Sequence, residues 1–309
     1  MKISIVTTLH NSACYVDSFH QRSTAVARQL EVDYEIIFVN DGSSDDSLRN
    51  AVALTKRHPN VVVVDLSRNF GHHKAMMTGL QHAQGDLIFL IDSDLEEEPE
   101  WLTVFLEKLK DSACDVVYGV QKKRKGGGIE RWSGTFFYLL FNAISGVGIP
   151  RNIVTARLMT RQYVINLLRH KEREMIIAGL WALTGFDQRP VLVHKHCNSE
   201  TTYTVTRKFS LLVNAITSFS HMPLIGIFYI GMIVFTISSA LAILLGIKWL
   251  YLSRPIDGWT SVVASIWLLG GLTIALEGVI GMYLSKVFIE SKNRPPAIVK
   301  QVYKRRRKG

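Results

Sequence analysis

The sequence predicts an α/β domain built on a mostly parallel sheet, followed by two membrane-spanning helices. Three observations predict this. Apolar runs that do not alternate ("KISIVTTL", "YEIIFVND", "NVVVVDLS", "DLIFLIDSD") recur in the first third of the chain. Helix-like segments separate them, which is the pattern of strands buried on both faces and paired in parallel. Near the C-terminus Leu224 to Ile247 carries no charge, and Ser261 to Ser285 carries only Glu277. Uncharged runs above ~18 residues favour spanning a bilayer.

The elements follow in order. "MKISIVTTLH" turns polar too soon for the apolar region of a signal peptide and reads as the first buried strand. Residues 13–30, 44–57 and 71–83 are read as the helices that separate the first, second, third and fourth strands. Glu97 and Glu98 precede Pro99 and "EWLTVFLEKL", so they are expected to enrich a helix N-terminus in negative charge. Residues 207–222, "RKFSLLVNAITSFSHM", place apolar residues at helical spacing behind basic ones, as an interfacial helix does. "KWLYLSRPIDGW" links the two spans and carries aromatic interface residues. The expected organisation is a catalytic domain over 1–206, an interfacial helix over 207–222, a transmembrane hairpin over 223–286 and a basic tail over 287–309.

Charge and cysteine content exclude other classes. The formal charge is +10, but Lys286 to Gly309 holds nine Lys/Arg and one Glu, which leaves only +2 elsewhere. The basicity belongs to a tail rather than to a nucleic-acid-binding surface. An even number of spans keeps the tail and the N-terminal domain on one side, and the positive-inside rule makes that side the cytoplasm. Cys14, Cys114 and Cys197 have no CxxC spacing, so neither a disulfide framework nor a zinc site is supported.

Ligands of such sheets bind at the carboxyl ends of the strands. Those ends carry Asn40-Asp41-Gly42-Ser43, Ser67-Arg68-Asn69 and Asp92-Ser93-Asp94. No GxGxxG follows the first strand and no GxxxxGK[ST] is present, which argues against a Rossmann dehydrogenase and a P-loop ATPase. Asp92 and Asp94 can approach one hard cation, Mg²⁺ or Mn²⁺, with Glu96 a possible third ligand. Such an ion between carboxylates and a diphosphate neutralises a leaving group. The loop "QKKRKGGGIER" suits either a phosphate approaching from the membrane or simple attraction to anionic lipid. His72 and His73, adjacent on a helix, point apart and suggest a surface or nucleotide-side role. Glu277 inside a span is unusual and a candidate for function or oligomer pairing.

The stretches "SIVTTLHN", "EIIFVNDGSSDDSL", "LSRNFGHHKAMMTGLQHAQGD", "IFLIDSDLEEEPE", "SFSHMPL" and "IESKNRPPAIV" resemble a family 2 glycosyltransferase with the Rossmann-like GT-A fold. More narrowly, the chain is similar to the membrane-anchored polyprenyl-phosphate group, which holds the GtrB-type bactoprenol glucosyltransferases and dolichol-phosphate mannose synthase. The resemblance implies nucleotide contacts by Thr8, Leu9, Asn11, Asp41, Arg68, Asn69, Lys74 and Ser93. It implies catalytic roles for Asp92, Asp94 and Arg157, with Asp92, Asp94 and Glu96 as ligands of Mg²⁺ or Mn²⁺. Lys122, Lys123, Arg124 and Arg131 fall in the loop that meets the acceptor phosphate. The implied reaction is inverting transfer from a nucleotide-diphosphate sugar to undecaprenyl phosphate at the bacterial cytoplasmic membrane, for O-antigen or other envelope glycans, by a homo-oligomer.

The chain departs from the family pattern in places. Thr8, His10 and Ser12 replace the usual Pro, Tyr and Glu, and Asn40 replaces a common Asp. "NIVTARLM", Asn152 to Met159, has lost both acidic positions of "DAGDFRLM" but keeps Arg157. Ala178-Gly179 and Thr201-Thr202-Tyr203 replace "RG" and "SKY". These positions are where sugar and acceptor contacts are expected, so the donor sugar stays open. A phosphate nucleophile is already anionic and tolerates loss of a general base better than a hydroxyl does. Two other readings remain: extension of a lipid-diphosphate-linked saccharide, and a catalytically degenerate membrane scaffold. A processive synthase is disfavoured, since no QxxRW motif follows the DxD.

Overall fold

The computed structural model describes residues 1–121, 152–170, 172, 177–195, 222–252 and 258–305. The described residues fall into two compact units. Residues 1–121, those between 152 and 195, and 294–305 belong to the first; 222–293 belong to the second.

The first unit alternates as expected. It runs β1 (Lys2–Leu9), α1 (Val16–Gln29), β2 (Asp33–Asn40), α2 (Ser47–Arg57), β3 (Val61–Leu66), α3 (His72–His82), β4 (Leu87–Leu90) and α4 (Trp101–Ser112). Then come β5 (Val116–Gln121), β6 (Ile153–Thr160), α5 (Arg161–Leu167), α6 (Ile177–Leu183), β7 (Gln188–Val193) and, from the chain's end, β8 (Val299–Lys304). One eight-stranded sheet has the order β7-β5-β6-β4-β1-β2-β3-β8.

Strands β1 to β4 pair in parallel, with Val6 opposite Ile37 and Leu90. The sheet is mostly parallel, as expected, and β7 also pairs in parallel with β5, but it has antiparallel insertions. β6 inserts antiparallel between β4 and β5, and β8 runs antiparallel to β3, so the sheet is mixed. The apolar runs of β4 and β6 ("LIFL", "IVTARLM") report burial on both faces, not direction.

Each face of the sheet has its own core. Phe19, Phe38, Leu54, Phe89 and Phe105 pack under α1, α2 and α4. Val6, Val39, Met76, Leu80, Tyr163 and Trp181 pack under α3, α5 and α6. α3 lies close on the sheet because residue 79 is glycine: a Cβ there would stand 2.5 Å from Val6 Cγ1 and 2.9 Å from Val39 Cγ2.

Part of the expected basic tail over 287–309 takes regular structure. The last helix continues to Ser291, and Val299–Lys304 returns to the first unit as an edge strand. Its Tyr303 packs against the α1/α2 core, and Lys300 and Lys304 charge the outer edge, a common guard against edge-to-edge association.

The second unit holds two long helices, α7 (Met222–Leu252) and α8 (Trp259–Ser291). Within α8, Ser265–Ser291 is long and apolar enough to cross a membrane. Its Trp267, Leu268 and Ile274 are more than two-thirds exposed. α7 has 31 residues, of which Pro223–Val234 is an apolar segment among the described residues. Among the described residues one helix is long and apolar enough to cross a membrane, where the sequence predicts two. The interfacial segment 207–222 lies outside the described residues except at Met222.

Candidate active site

The carboxyl ends of β1 to β4 meet in one polar region. Three backbone devices build it. Gly42, at φ +64, lies against the backbone of Arg68 and Asn69, where any Cβ would collide with main chain. That contact holds the "NDGS" and "SRN" turns together. Gly71, at φ +101, opens α3. Leu95, at φ +59, is a non-glycine residue in the left-handed region between Asp94 and Glu96. Such strain persists only where the surroundings enforce it, and it gathers at functional sites.

Asp41 is buried, and its carboxylate accepts the Phe70 amide at 2.7 Å and the Gly71 amide at 3.0 Å. Its side chain therefore anchors the loop that carries Arg68 and Asn69. Asn40 donates to Asp65 at 2.7 Å. Arg68 lies over the Phe70 ring at 4.2 Å, and Asn69 is hydrogen-bonded to the His10 ring. Asn11, at φ +53, caps Ser44 through its side-chain oxygen. The Leu9 side chain is wholly in the core. Its carbonyl takes the Asp41 amide, so Leu9 reaches the region only through backbone. Ser93 donates to the Thr8 carbonyl at 2.9 Å and ties β4 to β1. Lys74 sits in the first turn of α3.

Asp92 and Asp94 follow β4. His72 Nδ1 lies 3.0 Å from Thr8 Oγ1, and His72 Nε2 lies 3.2 Å from Asp92 Oδ1. The second contact is an ion pair, and Asp92 Oδ1 is otherwise buried without a hydrogen-bond partner. Burial disfavours the His72 cation, yet the Asp92 contact outweighs it and holds the imidazole above its ordinary range. Burial likewise opposes the Asp92 anion, and His72 with Lys195 holds that carboxyl below its usual range. Asp94 is raised by burial and by the Asp92 charge, which the amide of Glu96, bonded at 3.0 Å, only partly offsets.

Two residues that the sequence reading passed over complete the cluster. Glu97 was expected to be a helix-terminus charge but is fully buried, with Oε1 accepting the Thr155 amide at 3.0 Å. Burial, then the Asp92 charge, pushes its carboxyl up to about 8. Lys195, just beyond β7, places its ammonium 3.4 Å from Glu96 Oε2 and 3.6 Å from Glu97 Oε1. Burial opposes its charge, but Glu97, Asp92, Asp94 and Glu96 together raise the ammonium above its ordinary value. No local pattern marks either residue, because only the fold brings Thr155 and Lys195 to Glu97.

Arg157, expected to be catalytic, is 1% exposed, stacks on the Trp181 ring and is lowered by burial to about 9. It lies beneath the polar region rather than open to it. Lys122, Lys123, Arg124 and Arg131 lie outside the described residues.

Among the described residues, no three His, Cys, Asp or Glu side chains form a ready metal cage. A divalent ion shared with a diphosphate needs only one or two protein carboxylates. Asp92 and Asp94 fit that mode: both are hard oxygen donors at a strand end, and Asp92 Oδ1 is poorly satisfied. Glu96 is already paired with Lys195.

The glycosyl transferase family 2 model matches residues 4–168. The chain belongs to that family. A Mycobacterium tuberculosis protein described as a glycosyltransferase is 49% identical over 303 residues, 98% of this chain and 89% of the relative. The bactoprenol glucosyl transferase of Shigella phage SfII is 32% identical over 309 residues, covering 98% of this chain and 99% of the phage protein. An Escherichia coli prophage bactoprenol glucosyl transferase homologue is 32% identical over 98% of this chain and its own full length. The mixed α/β sheet with polar strand ends is the GT-A catalytic domain expected of this family 2 glycosyltransferase.

Proposed function

We propose that this glycosyltransferase moves a sugar from a nucleotide-diphosphate donor to a polyprenyl phosphate, undecaprenyl phosphate in bacteria, at the cytoplasmic face of the membrane. The observation that carries this reading is the end-to-end similarity to bactoprenol glucosyl transferases, whose match includes the apolar C-terminal helices. Both α7 and α8 then span the bilayer, and the product feeds cell-envelope or O-antigen glycans.

The nucleotide lies across the ends of β1 to β3, where Arg68 and Asn69 are presented on the loop anchored by Asp41. Thr8, Asn11, Lys74 and Ser93 frame that position. Asp92 and Asp94 would hold Mg²⁺ or Mn²⁺, which would supply charge neutralisation for the leaving group. A phosphate oxygen of the lipid attacks the anomeric carbon, and the bond from that carbon to the donor diphosphate breaks. The nucleoside diphosphate departs with the bonding pair, and the anomeric configuration inverts. The nucleophile carries its charge already, so no general base is required of the chain. Lys122, Lys123, Arg124 and Arg131 hold the acceptor phosphate in this reading.

The test uses purified full-length protein in detergent with undecaprenyl phosphate, Mg²⁺ or Mn²⁺, and UDP-, dTDP- and GDP-sugars. Mass spectrometry follows the lipid. A one-sugar mass gain, lost with Asp94→Asn and with EDTA, supports the reading and names the donor. No gain with any donor, alongside extension of a lipid-diphosphate saccharide, overturns it in favour of saccharide extension. Loss with Asp94→Asn but not with EDTA removes the metal from the mechanism.

A further inference from the structure

We propose that Lys195 is the resident counter-ion of the carboxylate cluster, and that it competes with a divalent cation for the negative charge of that cluster. The inference rests on the reading of Asp92 and Asp94 as ligands shared with a donor diphosphate.

The geometry carries it. Asp92, Asp94 and Glu96 crowd into five residues of a strained turn, with Leu95 in the left-handed region and the buried Glu97 carboxyl beside them. Like charges this close in a poorly hydrated site repel by several kcal/mol unless compensated, on the order of 332/(εr) with ε about 20. The Lys195 ammonium bridges Glu96 and Glu97 at 3.4 and 3.6 Å, with a side chain only 19% exposed. Across the cluster, His72 faces Asp92. The two carboxylates that Lys195 touches are not equivalent. Glu97 is fixed by the Thr155 amide and wholly buried, whereas Glu96 is the nearer partner of the ammonium.

The contacts to Lys195 are longer than a tight charge-assisted hydrogen bond of about 2.7–2.9 Å, so they are exchangeable. Lysine is a compact charge on a flexible stem, able to withdraw without disturbing the backbone. Lys195 and a divalent ion thus compete for one negative field. In the free protein the lysine occupies it. When a nucleoside diphosphate brings further negative charge, the ion becomes the better partner. The expected consequence is ordered assembly: the free protein binds the ion weakly, and the nucleotide-bound protein binds it well.

Mn²⁺ binding to the full-length protein in detergent, followed by electron paramagnetic resonance, tests this without activity. Wild type, Lys195→Met, Lys195→Gln and Lys195→Arg are titrated with Mn²⁺ alone and with UDP or GDP present. Thermal unfolding confirms each variant is folded, and the Gln variant stands in if the Met variant is not. The expected result is at least tenfold tighter Mn²⁺ binding to nucleotide-free Met and Gln variants than to wild type, with the Arg variant close to wild type. If wild type binds Mn²⁺ with nucleotide while the Met and Gln variants gain nothing without it, the counter-ion role is overturned and the metal reading stands. If no form binds Mn²⁺ even with nucleotide, both are overturned.

Discussion

Replacing Asp41 isolates what this residue does inside the fold from what it does for a ligand. Its carboxylate accepts two amides, Phe70 at 2.7 Å and Gly71 at 3.0 Å, in a buried position. Hydrogen bonds to charged groups contribute about 1.5–3 kcal/mol each. Asp41→Asn keeps the shape and one acceptor but turns an NH₂ toward the second amide, so the expected loss is about 2 kcal/mol. Asp41→Ala removes both acceptors. Because the loop is only half-buried, water recovers part of that, and the expected loss is about 2–4 kcal/mol. At about 2–4 °C per kcal/mol, the Asn variant should melt roughly 4–8 °C below wild type. The assay is thermal unfolding of detergent-solubilised protein by intrinsic fluorescence, with Trp101 and Trp181 reporting on the catalytic unit. Binding of the donor nucleotide should weaken in the same order, since the loop displaying Arg68 and Asn69 loses its anchor. An Asn variant as stable as wild type, or an Ala variant no worse than the Asn variant, would refute the anchoring argument.

Three other outcomes are expected. Gly79→Val should destabilise by about 1–3 kcal/mol, because its side chain must displace Val6 and Val39 between α3 and the sheet; unchanged melting would show that α3 can shift. Arg157→Lys keeps a cation but loses the planar stack on Trp181, so a loss of about 1–2 kcal/mol is expected in denaturant titrations, and a neutral result would assign the stack no stabilising role. His20 is pushed down to about 4 by burial and by neighbouring His58. Its folded value lies below the unfolded value near 6.5, so the unfolded chain binds more protons between them. Stability is then complete above about pH 6.5 and falls as pH drops toward 4. Melting curves from pH 7.5 to 4.5 should show that slope flattened in His20→Gln, and an equal slope in both proteins would place the acid sensitivity elsewhere.

The β1 to β4 alternation with its helices was legible because burial on two faces writes a continuous apolar run, and helices write a different period. The polar strand ends were legible for a related reason: Asp41, Arg68, Asp92 and Asp94 interrupt apolar runs at the point where a chain leaves a sheet. Leu9 was misplaced, since a residue beside a site in sequence turns its side chain away from its neighbour's in a strand. The direction of β6 and the return of Val299–Lys304 as β8 were not legible. Strand pairing is a relation between distant segments, and a short, largely exposed segment such as "VKQVYK" fits many partners.

By itself, then, the sequence determined the alternating architecture, the apolar C-terminal helices, the family and the acidic strand end. Only the tertiary structure decided which charges stand alone and which are compensated. Glu97 looked like a solvated helix-terminus charge until Thr155 and Lys195 were found against it. Nothing in the sequence showed that Arg157 would be buried against Trp181. The reason is physical: a side chain's identity fixes its charge, but burial and the partners that distant segments deliver fix whether that charge is tolerated, shifted or neutralised.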